Sequence, residues 1–158
     1  MTGVGIDVSK DTLVVAIPGN PWVGQFANSQ QGHEKLVRAL LNRCADAQVV
    51  VEPTATYHMA IMNLIAQTDG LQVMVANPRQ TAAFAKVINQ RGKTDNADAT
   101  MLAIFSQTIE FNTWSPPTEA ALRLRDVMRR RLQRVNHQTA EKNRLKELDA
   151  TGGDPAIR

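Results

Sequence analysis

The sequence is poor in the residues that build several common kinds of protein. Its single cysteine, Cys44, allows no intrachain disulfide and no Cys/His zinc spacing. Aromatic residues make up only 4% of the 158 residues, so the core must consist mainly of aliphatic side chains and methionine. No apolar run approaches the ~18 residues of a membrane span, and Asp7, Lys10 and Asp11 interrupt the region where a signal peptide is apolar. These absences predict a protein of the reducing cytoplasm with no membrane partner.

The positive charge of the chain is concentrated near its C-terminus. Residues 119–150 carry nine Lys/Arg and five Asp/Glu, whereas residues 1–118 carry eight and nine. A basic segment of this kind can follow the phosphates of a nucleic acid. A solvated helix face gives the same pattern, so both interpretations stay open at this point.

Hydrophobic periodicity predicts an α/β fold. Residues 3–9 alternate between apolar residues on one face and glycine or polar residues, including Asp7, on the other. Strands are expected at 3–9, 12–17, 22–27, 47–52 and 71–76, and helices at 29–43, 56–67, 78–89, 95–107 and 118–150. The first three strands should form an antiparallel meander. The later alternation of helices and strands predicts a mixed five-stranded sheet with helices on both faces.

Proline punctuation predicts the domain organisation. Pro116-Pro117 marks a boundary, and residues 118–150 contain neither proline nor glycine. We therefore expect a domain over residues 1–115 and a long, coiled-coil-like helical arm over residues 118–150. Residues 151–158 have the composition of the start of a linker to a further domain.

Four acidic residues occupy positions where carboxylates are costly unless they bind a partner. Asp7 lies in the first strand, Glu52 ends an apolar strand, and Asp95 and Asp98 share one face of a predicted helix. If that helix packs beside the first and fourth strands, the four carboxylates converge. Such a cluster would suit one or two Mg²⁺ ions, with Mn²⁺ as an alternative, and could support phosphoryl displacement. Each acid alone also fits a structural position at a turn, a strand end or a first helical turn.

The segments around these acids carry a resemblance to a known family. They are Gly5-Ile6-Asp7-Val8-Ser9-Lys10, Glu52-Pro53-Thr54-Ala55-Thr56-Tyr57, Asn77-Pro78-Arg79 and Lys93-Thr94-Asp95-Asn96-Ala97-Asp98-Ala99. Over roughly residues 3–150 the chain resembles the N-terminal DEDD domain of bacterial insertion-sequence transposases, which include the Piv-type pilin-gene invertases. The resemblance implies a ribonuclease-H-like fold similar to RuvC-type resolvases, with the tetrad on Asp7, Glu52, Asp95 and Asp98. The family often has glycine where this chain has Ala55.

The resemblance also implies a function. It points to a DNA recombinase of the bacterial cytoplasm that acts in transposition or inversion. It further implies a structured guide RNA as a partner, and pairing of subunits through the long helix as a homodimer or higher homo-oligomer. Family members carry a nucleophilic serine in a further C-terminal domain, and no serine here matches that motif. The isolated chain is therefore expected to bind metal and nucleic acid without catalysing strand exchange.

Seven basic residues are candidates for contact with nucleic acid. Arg91 and Lys93 precede the acidic pair, and Arg79 follows Asn77-Pro78. Four arginines lie on the predicted arm: Arg129, Arg130, Arg131 and Arg134. Guanidinium groups bind phosphate in a bidentate manner. For each residue the alternative is a solvated loop or helix face, and the arm could instead pack along its own domain.

Two other functions fit parts of the sequence. A catalytically silent nucleic-acid-binding or dimerisation module would use the same acids and the same arm. An actin-like phosphotransferase begins with a similar Gly-Ile-Asp-Val-Ser strand, but it needs a second lobe with another Gly-rich phosphate loop, and this sequence has no such loop. The recombinase is therefore the preferred interpretation, with the silent module as the alternative.

Overall fold

A five-stranded mixed sheet forms the centre of the N-terminal part of the protein. The computed structural model describes residues 1–20, 22–44, 46–88 and 94–150. Its strands are β1 (Thr2–Val8), β2 (Thr12–Ala16), β3 (Val23–Ala27), β4 (Ala47–Val51) and β5 (Leu71–Val75). Its helices are α1 (Gln30–Leu41), α2 (Met59–Ala66), α3 (Pro78–Val87), α4 (Asp95–Thr108) and α5 (Glu119–Ala150). The predicted order of strands and helices is confirmed.

The sheet has the strand order β3-β2-β1-β4-β5. β1, β2 and β3 form the predicted antiparallel meander, and β1–β4 and β4–β5 pair in parallel. This topology agrees with the expected ribonuclease-H-like α/β fold. It places β1 at the centre of the sheet, with the carboxyl ends of β1 and β4 side by side.

The two faces of the sheet are covered by different helices. On one face, apolar residues of β1, β2 and β4 pack with residues of α1 and α2 in the larger core, which includes Ile6 and Leu36. On the other face, α4 lies on β1 and packs Leu102 and Phe105 with Val50. Each fully buried aliphatic side chain contributes about 1.5–3 kcal/mol relative to exposure. Burial of Leu102 and Phe105 therefore holds α4 against the central strand.

Two glycines of β1 allow α4 to approach the sheet closely. A Cβ atom placed on Gly5 would lie 2.0 Å from the carbonyl oxygen of Ala99, and one on Gly3 would lie 2.8 Å from that of Ala103. Real Cβ atoms do not approach backbone atoms this closely. Because Gly3, Gly5 and Asp7 share one face of β1, this close packing brings α4 to the face that carries Asp7.

The largest difference from the predicted bounds follows β4. The strand ends at Val51, so Glu52 is the first residue beyond it rather than its last residue. The helix predicted from residue 56 begins at Met59. Ala55 has a φ of +47°, which no residue of a right-handed helix can adopt. A turn therefore separates Glu52 from α2.

In the second compact unit, Pro117–Arg158, the structure describes residues 117–150, nearly all of which belong to one helix, α5. Its residues are largely exposed, and Leu124, Val127 and Leu132 are each 60–65% exposed. An ion pair of 2.6 Å joins Arg123 to Glu119 one turn away, and such exposed pairs contribute only about 0.3–0.5 kcal/mol. The predicted linker, residues 151–158, lies outside the described residues. Within the described ranges, no helix combines the length and the apolar character needed to cross a membrane.

Candidate metal centre

Asp7 and Glu52 lie at the carboxyl ends of neighbouring parallel strands. The register of β1 and β4 ends with the pair Ile6–Val51, so the two acids occupy the next step along the chains. Neighbouring strands run about 4.8 Å apart. The sheet therefore brings these two distant segments of the sequence close together.

Asp95 and Asp98 lie in the first turn of α4. The helix is capped by Thr94, whose side-chain oxygen accepts a hydrogen bond of 3.2 Å from the backbone N–H of Ala97. The positive end of the helix dipole favours carboxylates here by about 0.3–1 kcal/mol. Asp95 is exposed and Asp98 is partly buried. The helix end thus presents two acids on the side of the molecule where it packs against β1.

The other three acids act electrostatically on Asp7. The pKa of Asp7 is raised from its ordinary 3.8 to about 6, first by burial and then by the negative charges of Asp95, Asp98 and Glu52. A hydrogen bond from the backbone of Val8 opposes the rise. Carboxylates from three separate segments therefore share one electrostatic neighbourhood, in which negative charge is in excess.

The chemistry of this neighbourhood fits a hard divalent cation, although the described residues form no coordination shell. Carboxylate oxygens are the ligands that Mg²⁺ prefers, and a cation would relieve the repulsion that raises the pKa of Asp7. Within the described part of the chain, however, no three His, Cys, Asp or Glu side chains are arranged so that they could hold one ion. An ion would require carboxylate side chains to turn toward it.

The predicted basic residues lie in three different places. Arg79 is exposed in the first turn of α3, where its backbone N–H donates to Oδ1 of the capping residue Asn77 at 3.0 Å. Arg91 and Lys93 lie outside the described residues. The remaining four, all exposed, belong to α5 of the second unit: Arg129, Arg130, Arg131 and Arg134.

The turn after Glu52 carries two unfavourable features. Ala55 adopts a positive φ of +47°, and among the described residues Nδ1 of the buried His58 has no hydrogen-bond partner. A left-handed backbone costs a non-glycine residue roughly 1–2 kcal/mol, and an unsatisfied buried polar atom costs about 1–3 kcal/mol. Costs of this kind cluster at functional sites.

A polar network beside the acids was missed by the sequence analysis. Asn28 donates from Nδ2 to the carbonyl oxygens of Ser9 and Tyr57, and its Oδ1 lies 2.7 Å from Nε2 of His33. Burial lowers the pKa of His33. The sequence signal, a polar Asn28-Ser29 pair, predicts a helix cap, and Ser29 is indeed the cap of α1. Nothing in the pattern showed that Asn28 reaches two other segments.

Known proteins match nearly the whole chain. A family model for DEDD transposases of the IS110 type, described as a transposase, matches residues 4–148. A pilin gene-inverting protein of Moraxella bovis is 28% identical over 152 residues, covering 93% of this chain and 47% of its own length. A pilin gene-inverting protein of Moraxella lacunata is 27% identical, with the same shares covered. The chain spans about half the length of these curated relatives.

Proposed function

The chain belongs to the IS110-type DEDD transposase family, and from this premise we propose that it forms the metal- and nucleic-acid-binding N-terminal part of a DNA recombinase. The observation that carries the proposal is the raised pKa of Asp7, on which three carboxylates from two other segments act. The names of the relatives describe inversion of a pilin gene. For this chain we propose the broader reaction, DNA strand exchange in transposition or inversion.

In this proposal Asp7, Glu52, Asp95 and Asp98 hold Mg²⁺, with Mn²⁺ as an alternative ion. The oxygen-only donor set favours these hard cations over softer metals. When bound, the ion supplies charge stabilisation at the oxygens of a phosphoryl group. Two features of the chain support this role: the pairing of β1 with β4 leads to the first two carboxylates, and the capped N-terminus of α4 carries the others.

We propose DNA as the substrate and a structured guide RNA as a partner. The exposed arginines of α5, together with Arg79, Arg91 and Lys93, would contact phosphates in the bacterial cytoplasm. Neutralising phosphates releases counterions, so binding should weaken steeply with salt. The exposed apolar residues of α5, such as Leu124, Val127 and Leu132, support pairing of the arm in a homodimer or higher homo-oligomer.

A second candidate is a binding module without catalysis. It is favoured by the finding that, across the described residues, no three potential ligands are poised to hold one ion. This is a narrower form of the silent module than the sequence suggests, since here the acids hold no ion and nucleic acid is bound through the basic residues alone. For the isolated chain we expect no strand exchange in either case.

Fluorescence anisotropy with labelled branched DNA and labelled structured RNA separates the two candidates. The recombinase domain should bind branched DNA more tightly in Mg²⁺ than in an equal ionic strength of KCl. The double variant Asp7→Asn/Asp98→Asn should lose this difference. Equal affinity in both salts would favour the silent module, and no affinity for either nucleic acid would contradict both. Strand exchange by residues 1–158 alone would overturn the expectation that the isolated chain is inactive.

A further inference from the structure

Asp7 and Glu52 lie one step beyond the last paired residues of β1 and β4, although Asp7 still pairs with Val14 of β2. The pairing of β1 with β4 stops at Ile6 and Val51. Beyond that pair, β1 continues along β2 as far as Val8 before the turn at Ser9, whereas β4 leads directly into the turn before α2. The separation of the two acids therefore depends on contacts outside the ladder that joins β1 to β4.

Asn28 makes such a contact. Its Nδ2 donates to the carbonyl oxygen of Ser9 at 2.8 Å and to that of Tyr57 at 3.3 Å. Ser9 lies two residues after Asp7, and Tyr57 lies five residues after Glu52. One side-chain amide thus joins the continuation of β1 to the continuation of β4.

The backbone of Asn28 anchors the amide to the same end of the sheet. Its N–H donates to the carbonyl oxygen of Asp11 at 2.9 Å, in the turn between β1 and β2. Asn28 follows the last residue of β3, Ala27, which pairs with Thr12 of β2. The pairing of β2 with β3 and this backbone hydrogen bond therefore fix the position of Asn28 independently of its side-chain contacts.

His33 fixes the orientation of the amide. Both carbonyl partners only accept hydrogen bonds, so Nδ2 must face them and Oδ1 must face the imidazole. Because the amide oxygen also only accepts, Nε2 of His33, 2.7 Å away, must carry the proton. His33 is 7% exposed in α1, so its ring has little freedom to turn away. A flipped amide would place its oxygen against two carbonyl oxygens.

We propose that Asn28 is a positioning residue of the metal centre, and that His33 locks it in place. The amide sets the distance between the end of β1 and the turn after β4, and hence between Asp7 and Glu52, without touching an ion. This inference rests on the proposed function, because it assumes that these two acids share a divalent cation. Residues outside the coordination shell that orient metal ligands commonly change metal affinity by about 10–100-fold when they are replaced.

The test is a calorimetric titration of Mn²⁺ and Mg²⁺ into wild type, Asn28→Ala and Asn20→Ala, at a temperature where circular dichroism shows each protein folded. Asn20 is a matched control, because its Oδ1 accepts from the N–H of Trp22 at 3.0 Å in the turn between β2 and β3, at the opposite end of β3 from Asn28. Asn28→Ala should raise the Kd by about 10-fold, and Asn20→Ala should leave it unchanged. An unchanged Kd for Asn28→Ala, with a lowered Tm, would show that the amide only stabilises the fold, and this would overturn the inference.

Two variants of His33 test the lock independently. His33→Gln keeps a nitrogen donor for Oδ1 of Asn28, whereas His33→Ala removes it. The glutamine variant should therefore retain more of the wild-type affinity than the alanine variant. Equal losses in both would overturn the role given to His33. Absence of ion binding in wild type itself would instead refute the proposed function, and this inference with it.

Discussion

Asp7 is the residue on which the electrostatics of the candidate site converge. The sequence predicted that four acids come together, because their strands and helix could be read from periodicity. It could not predict that the pKa of Asp7 in particular is raised to about 6. That shift depends first on burial, and burial depends on how closely α4 packs on β1.

The raised pKa predicts that the stability of the metal-free protein falls as pH rises. In the unfolded chain Asp7 ionises near its ordinary 3.8, but in the folded protein it ionises at about 6. The contribution of Asp7 to the free energy of unfolding is therefore fully present below pH 3.8. It falls between pH 3.8 and about 6, because the unfolded state releases its proton first, and it is lost above about pH 6. Because Asp7 is only partly buried, solvent screening limits the effect to roughly 1 kcal/mol.

Thermal unfolding of wild type and Asp7→Asn at several pH values measures this effect. Without metal at pH 7.5 the asparagine variant should have the higher Tm, since it lacks the unfavourable charge. The advantage should shrink toward pH 4, where the wild-type carboxyl is protonated. A variant that is less stable than wild type at pH 7.5 would show that Asp7 is stabilising as an anion.

Ala55→Gly should stabilise the protein. The φ of +47° costs alanine roughly 1–2 kcal/mol, whereas glycine adopts it freely. After the larger backbone entropy loss of glycine on folding, we expect a net gain of about 0.5–1 kcal/mol in the free energy of unfolding. Urea denaturation measures it, with Ala39→Gly inside α1 as a matched control that should cost about 1 kcal/mol. Destabilisation by Ala55→Gly would contradict the claim that the positive φ of Ala55 strains the backbone.

At the scale of secondary structure, the packing of α4 on β1 builds the site. The sequence predicted both elements to within a few residues, and it placed Gly3 and Gly5 on the face of Asp7. It could not show that α4 lies against these glycines, because any small residue on a strand face is compatible with several packing partners. The turn after β4 was also mispredicted, since the positive φ of Ala55 is invisible in a hydrophobic pattern.

Gly5→Ala should disrupt this packing and the site together. The new Cβ would lie 2.0 Å from the carbonyl oxygen of Ala99, a backbone atom that cannot turn aside. Overpacking of this kind costs about 1–3 kcal/mol, and moving α4 outward would also weaken ion binding. Gly24→Ala is the control, because its Cβ would meet mainly side-chain atoms of Trp22 and Phe26, which can move. Equal costs in denaturation would refute the close-packing argument.

At the scale of the whole molecule, the chain divides into two compact units, Met1–Pro116 and Pro117–Arg158. The long helix was predictable from the lack of proline and glycine, and it begins at Glu119, one residue later than expected. What the helix binds could not be read from the sequence, because exposed arginines and exposed apolar residues alternate along it. Its function therefore stays a prediction.

Replacing the four clustered arginines of α5 with alanine should weaken nucleic-acid binding and flatten its salt dependence. If all four contact phosphates of a duplex, the slope of log K against log salt should fall by about 3.6. Replacing the same residues with lysine is the control, since it keeps the charge while removing bidentate geometry. An unchanged slope in the alanine variant would assign the helix to packing or pairing of subunits. The replaced residues are Arg129, Arg130, Arg131 and Arg134.

The most direct test of the proposed metal centre is a calorimetric titration of Mg²⁺ and Mn²⁺ into wild type and single variants of its four acids. The variants are Asp7→Asn, Glu52→Gln, Asp95→Asn and Asp98→Asn, and Asp69→Asn, an exposed acid in the turn before β5, is the control. If the distant segments build one site, each of the four variants should bind the ion more weakly. The control should bind it as wild type does. Unchanged affinity in the four variants, or no binding by wild type, would contradict the metal centre.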